Sequence, residues 1–170
     1  RAAVVAAYEH EGPVYIRLGR AAVPVINTNP DYKFELGKGV LLKDGKDVTI
    51  VASGLMVNEA LIAAETLKAE GIDARVINIH TIKPIDKEII IKAAKETGAI
   101  VTAEEHSVIG GLGSAVVEYM AENGFSPVVK VMGIPDKFIE HGSPEELYRI
   151  CGMDKESVLG TLLKFKEIKG

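Results

Sequence analysis

Two stretches of this sequence carry side chains of the kinds that do chemistry. The first is EGPVYIRLGR, residues 11–20, in which Arg17 and Arg20 bracket Leu18-Gly19. Val14, Ile16 and Leu18 alternate with Tyr15 and Arg17, so residues 14–18 read as a strand, with Arg20 just beyond its end. Ligands collect beyond the carboxyl ends of strands in open α/β sheets. A guanidinium there suits bidentate recognition of a phosphate or carboxylate. The spacing serves a salt bridge in a domain linker equally well.

The second stretch is EEHSVIGGLGS, residues 104–114. Glu104, Glu105 and His106 are acid–base types at a strand end. Neighbours on a strand point to opposite faces, however, so the three do not converge without help. Gly110, Gly111 and Gly113 lie between a strand and a helix, where backbone N–H groups can cradle a phosphate. Val116 stands where the dinucleotide fingerprint needs its third glycine, and the Walker lysine is missing. All six residues are therefore expected to have a structural or interface role. His10, His80, His106 and His141 show no H-x-x-x-H spacing, and no metal site is expected. No G-x-S-x-G elbow and no nucleophile–histidine pairing offers a catalytic residue.

The bounds fit this reading. The chain has 170 residues, of which 47% are hydrophobic and 26% charged, enough for one sizeable core. A net charge of -4 gives no electrostatic footprint for nucleic acid. No apolar run approaches the roughly 18 residues of a membrane span, and no secretory signal pattern opens the chain. Cys151, the only cysteine, excludes an internal disulfide, suits a reducing cytoplasmic setting and reads as a small core residue near a helix end. Gln and Trp are absent while Lys and Glu are plentiful, a composition leaning toward a thermophile.

The elements that must position these residues follow from period and punctuation. Residues 1–10 read as helix, stopped by Gly12-Pro13. A helix and one strand form no stable sheet alone, so residues 1–20 are expected to be the tail of a preceding domain. Residues 21–35 read as a linker, and residues 36–170 as a regular α/β domain. KGVLL (38–42) and DVTIVAS (47–53) flank Asp44-Gly45, a strong hairpin signal, so the two are expected to pair antiparallel. Helices are expected after about Leu55, from Asp86 to Thr97, after the glycine loop, from Ser143, and from Asp154 to Lys166. Strands are expected at 74–80, 99–105 and 127–133. The result is a three-layer α/β sandwich around a five-stranded, mostly parallel sheet with one antiparallel strand.

Taken together, GPVYIRLGR, DVTIVASGLMVNEALIAAETLKAEGIDARVINIHTIKPID, IVTAEEHSVIGGLGSAVVE and GIPDKFIEHGSPEELYRICGMD resemble the C-terminal part of transketolase. The resemblance is stronger to the C-terminal subunit of the split transketolases of archaea and some bacteria, and covers nearly all of the chain. It implies transfer of a two-carbon ketol unit between sugar phosphates on thiamine diphosphate and magnesium. Those groups belong to other domains, with a glutamate from the pyrimidine domain, so this chain alone binds no cofactor and is inactive. Residues 14–18 would be the last strand of that pyrimidine domain. Arg20 matches the arginine that grips the sugar phosphate, and Arg17 a position that is arginine in the synthase branch. Gly19 replaces the serine of full transketolases. The implied partners are a second copy and an N-terminal subunit or domains. The alternatives are 1-deoxyxylulose-5-phosphate synthase, the beta subunit of a 2-oxo-acid dehydrogenase, and a non-catalytic regulatory or dimerisation module. The two arginines favour phosphorylated substrates over the dehydrogenase, and EEH before the glycines favours transketolase over the synthase.

Overall fold

The computed structural model describes residues 1–20, 22–29 and 31–169, with side chains through Lys164. The elements run α1 (Ala2–Glu9), β1 (Val40–Lys43), β2 (Val48–Ala52), α2 (Met56–Ala69), β3 (Ala74–Asn78), α3 (Lys87–Thr97), β4 (Ala99–Ser107), α4 (Leu112–Glu122), β5 (Val128–Ile134), α5 (Pro144–Cys151) and α6 (Lys155–Lys169). The sheet order is β1-β3-β2-β4-β5, with β1 antiparallel to β3 and the remaining pairs parallel.

The chain moves one way from β2 to β3, then jumps back past β2 to β4 and on to β5. Right-handed crossovers then place α2 on one face and α3 and α4 on the other. The cores show this division. Ile50, Val76 and Val101 pack with Met56, Ala64 and Leu67 of α2 and with Val158 and Leu162 of α6. Val51, Ile77 and Ile100 pack with Ile90 of α3 and with Leu112, Val116 and Met120 of α4. Neighbouring β2 residues thus serve opposite layers, and all five are buried, which is why VTIVA is a near-continuous apolar run rather than an alternating one, with Thr49 its one buried polar residue. Each such fully buried large side chain contributes about 1.5–3 kcal/mol.

Caps fix the helix ends. Asp86 caps α3 by accepting the Ile89 N–H at 3.3 Å, and its other oxygen accepts the Gly39 N–H at 2.8 Å, tying the entry to β1 to the start of α3. Gly98 ends α3 in the left-handed region. Ser143 and Glu146 form a complete capping box at α5, with Pro144 in its first turn.

One expectation is corrected. The Asp44-Gly45 turn does not close a hairpin, because β3 lies between β1 and β2. The turn instead passes over the start of β3: Lys46 and Asp47 donate their N–H groups to the Asp73 carbonyl, each at 3.0 Å. A Cβ on Gly45 would strike the Ala74–Arg75 backbone, so its glycine is required by close approach. The Asp44 carboxylate accepts from the Gly45 N–H at 2.9 Å and from the nearly buried Arg75, whose guanidinium also pairs with Glu96 of α3 at 2.6 Å. The local turn chemistry is right, but its partner is a crossing strand. Residues 14–18 pair with no strand of this sheet and leave Tyr15 and Leu18 87% and 81% exposed.

Candidate functional site

In this strand order the carboxyl ends of β2 and β4 are where the connections diverge to opposite sides, the position at which open α/β sheets form a crevice. Ser53 leaves β2 there, its N–H donating to the Ala103 carbonyl at 3.1 Å. Glu104, Glu105 and His106 leave it on β4.

Strand parity sends the three apart. Glu104 is 4% exposed, and its Oε1 accepts the Gly113 N–H at 3.1 Å in the first turn of α4. A Cβ on Gly111 would overlap that carboxylate, and one on Gly113 would overlap Val131 and crowd Thr102 Oγ1. The glycines therefore let the loop fold down on an acid and on β5. Gly110 adds a left-handed residue to this loop and donates its N–H to Ser114 Oγ at 2.8 Å. Glu105 faces α5, where it accepts the Tyr148 hydroxyl at 2.9 Å. His106 is exposed, with Nδ1 3.3 Å from the Ser107 carbonyl.

This geometry decides between two chemistries. The N-terminus of α4 would attract an anion, but the Glu104 carboxylate already lies against it. A second anion there would compete for the same N–H groups with that carboxyl group, which makes no ion pair among the described residues. Among the described residues, no group of three or more His, Cys, Asp or Glu side chains is arranged to hold a metal ion. The residues at this edge thus do not fit a diphosphate with its magnesium, and they assemble no general acid–base pair. They do lock β4, α4 and α5 together.

Arg17 and Arg20 lie elsewhere. Both are exposed, and neither makes a hydrogen bond or ion pair among the described residues. Val14, Tyr15, Ile16 and Leu18 of the same segment are also exposed, as are Val4, Val5 and Tyr8 of α1. Cys151 is partly buried and packs against the α2 side of the core.

Sequence reasoning passed over Tyr148 and Phe34, and weighed His80 only as a metal ligand. Tyr148 lies in the last helical segments, where only its contact with Glu105 gives it meaning. Burial, then that hydrogen bond, pushes its phenol up to about 12. Phe34 stacks on His80 with ring centroids 4.3 Å apart, a pairing of residues too distant in the chain for any local pattern.

The chain is similar to several known proteins. The family model described as the C-terminal domain of transketolase matches residues 37–158. The chain is 49% identical over 158 residues to an apulose-4-phosphate transketolase subunit of Phocaeicola vulgatus, covering 92% of this chain and 50% of that protein. It is 44% identical over 153 residues to the 1-deoxy-D-xylulose-5-phosphate synthase of Heliobacterium modesticaldum, covering 89% of this chain and 24% of that one. In structure it matches a split-gene transketolase described as an inactive beta4 tetramer, with a TM-score of 0.90 and 51% identity over 96% of this chain and 53% of that chain. The chain thus spans about half the length of the transketolase subunits it matches. With the five-stranded mixed sheet, these matches show that the chain belongs to the transketolase C-terminal domain family.

Proposed function

We propose that this chain is the C-terminal section of a split transketolase whose complete form transfers a two-carbon ketol unit between phosphorylated ketose and aldose sugars. The observation that carries the reading is the likeness over 96% of the chain to a split-gene transketolase. In this reading residues 1–20 belong to a pyrimidine-binding domain and residues 21–35 link it to the α/β domain. An apolar helix with no buried residue suits a second core better than solvent. The 14–18 segment would complete that domain's sheet and carry Arg20, with Arg17 beside it, to the substrate phosphate. Thiamine diphosphate and magnesium, which supply the carbanion chemistry when bound, would be held by the other domains. The α/β domain would serve assembly: a homodimer with an N-terminal partner, in the cytoplasm. No helix among the described residues is long and apolar enough to cross a membrane.

The test is reconstitution. The chain is mixed with the N-terminal subunit and pyrimidine domain, thiamine diphosphate, magnesium, a ketose phosphate and an aldose phosphate. Ketol transfer is expected only in the complete mixture, and titration calorimetry of the chain alone should show no saturable cofactor binding. The synthase relative supports one competing reading, which accumulation of 1-deoxy-D-xylulose 5-phosphate in place of a transferred ketol product would favour.

A further inference from the structure

Residues 32–39 dock on the loop that follows β3. Phe34 lies over His80, the ring planes tilted by 31°. Lys38 pairs with Glu88 at 2.8 Å, and Gly39 is held by Asp86. Tyr32, Lys33, Glu35, Lys38 and His80 line an open cavity of about 390 Å³ between the segment and the sheet edge. The Tyr32 hydroxyl is buried with no hydrogen-bond partner among the described residues, a desolvation that works against the docking.

We propose that the Phe34–His80 contact is a pH-sensitive clasp: neutral His80 holds residues 32–38 against the loop after β3, and protonation of its ring loosens them. The ring is half-buried, and its one hydrogen bond among the described residues joins Nδ1 to Thr81 Oγ1 at 2.9 Å. A charged imidazolium in that place loses hydration without a carboxylate to replace it. The surrounding charges do not supply one. Lys33 and Lys38 of the segment are positive, Glu35 makes no bond to the ring, Glu88 is paired with Lys38, and Asp86 accepts from two backbone amides. β1 offers only Val40 and Leu41 to the cavity. The face of Phe34 attracts a cation, but burial wins and holds His80 below the ordinary imidazole range. The undocked segment therefore binds more protons than the docked one. Docking is complete above the ordinary histidine value and weakens as pH falls through it.

The test uses the whole 170-residue chain. Amide exchange at Tyr32 and Lys38, whose N–H groups donate to Asn29 and Glu35 carbonyls, is followed by NMR from pH 8 to 5.5 after correction for intrinsic exchange. The His80 ring resonances are followed in parallel, and β2 and β4 amides report global folding. Protection of the two amides should fall as His80 titrates, by up to about tenfold at pH 5.5, the limit set by an ordinary undocked value near 6.5. His80→Phe, or His80→Gln if that variant fails to fold, should make the protection independent of pH. Phe34→Ala should lower it at every pH. Protection that stays constant while His80 titrates, or a pH dependence that survives in the His80 variants, overturns the proposal.

Discussion

Tyr148, in α5, donates its hydroxyl to the Glu105 carboxylate at the end of β4 across 2.9 Å, joining residues 43 positions apart. Glu105 is thereby turned away from Glu104, which faces α4. One strand end thus anchors two helices in opposite directions, and the two carboxylates do not converge.

Tyr148→Phe should lower stability by about 0.5–1.5 kcal/mol, the net contribution of a typical hydrogen bond, with Glu105 retaining access to water. Chemical denaturation at neutral pH measures it. The alkaline limb adds a second readout. The phenol is raised to about 12 in the folded chain, so folding binds a proton that the unfolded chain releases near 10. Its contribution is complete below about 10 and is lost as pH rises toward about 12. The Phe variant should lack that part of the alkaline decline. Equal slopes in both proteins would show that the phenol does not titrate with folding.

Which parts of the molecule the sequence reveals follows from how local their causes are. Asp86, Gly98, Ser143 and Glu146 act within one turn of their own helices, and the caps and helix ends they predict are the ones observed. The near-continuous apolar runs of β2 and the early part of β4 reveal a parallel sheet because burial on both faces leaves no room for alternation. Asp44-Gly45 misleads because turn chemistry is local and strand order is not: nothing near residue 44 says that β3, some thirty positions on, inserts beside β1. The divergence of Glu104 and Glu105 follows from strand parity alone. Their partners, Gly113 and Tyr148, are set by how α4 and α5 pack, which no single segment encodes. The 14–18 segment alternates apolar and polar side chains but pairs with no strand among the described residues.

The glycine loop makes a sharp substitution test. Gly113→Ala puts a methyl group into Val131 and against Thr102, both in the sheet beneath α4, and overpacking there should cost about 1–3 kcal/mol. Gly110→Ala meets no neighbouring atom and should be destabilised only through its left-handed backbone, by about 1 kcal/mol. Inorganic phosphate should give neither protein a saturable rise in Tm, because Glu104 already occupies the start of α4. A saturable rise would mean that the loop accepts anions after all.

Removal of residues 1–20 should leave the Tm of the remaining chain nearly unchanged. The large side chains of that segment are exposed, and α1 contains no buried residue. Extending the deletion to residue 30 should cost more, because Ile26 packs against the core on the α2 side. Thermal unfolding of the two truncated proteins separates them. A large drop for the shorter deletion would make residues 1–20 part of this core.

The last expectation concerns Arg20 in the reassembled enzyme. Its guanidinium is exposed and makes no ion pair among the described residues, so Arg20→Ala leaves no buried charge behind and should not disturb folding. A lost charge-assisted phosphate contact is worth about 1.5–3 kcal/mol, or roughly ten- to a hundredfold in kcat/KM. That loss should fall on phosphorylated substrates alone, since an unphosphorylated analogue never makes the contact, and affinity for thiamine diphosphate should be unchanged. Arg17→Ala should reduce substrate use less and perturb the docking of the 14–18 strand more, because a residue inside the strand faces neighbouring structure once the sheet is complete. Steady-state kinetics on a phosphorylated and an unphosphorylated donor, side by side, measure the difference. Equal losses on both donors would remove the phosphate role from Arg20 and leave it a salt-bridging residue between domains.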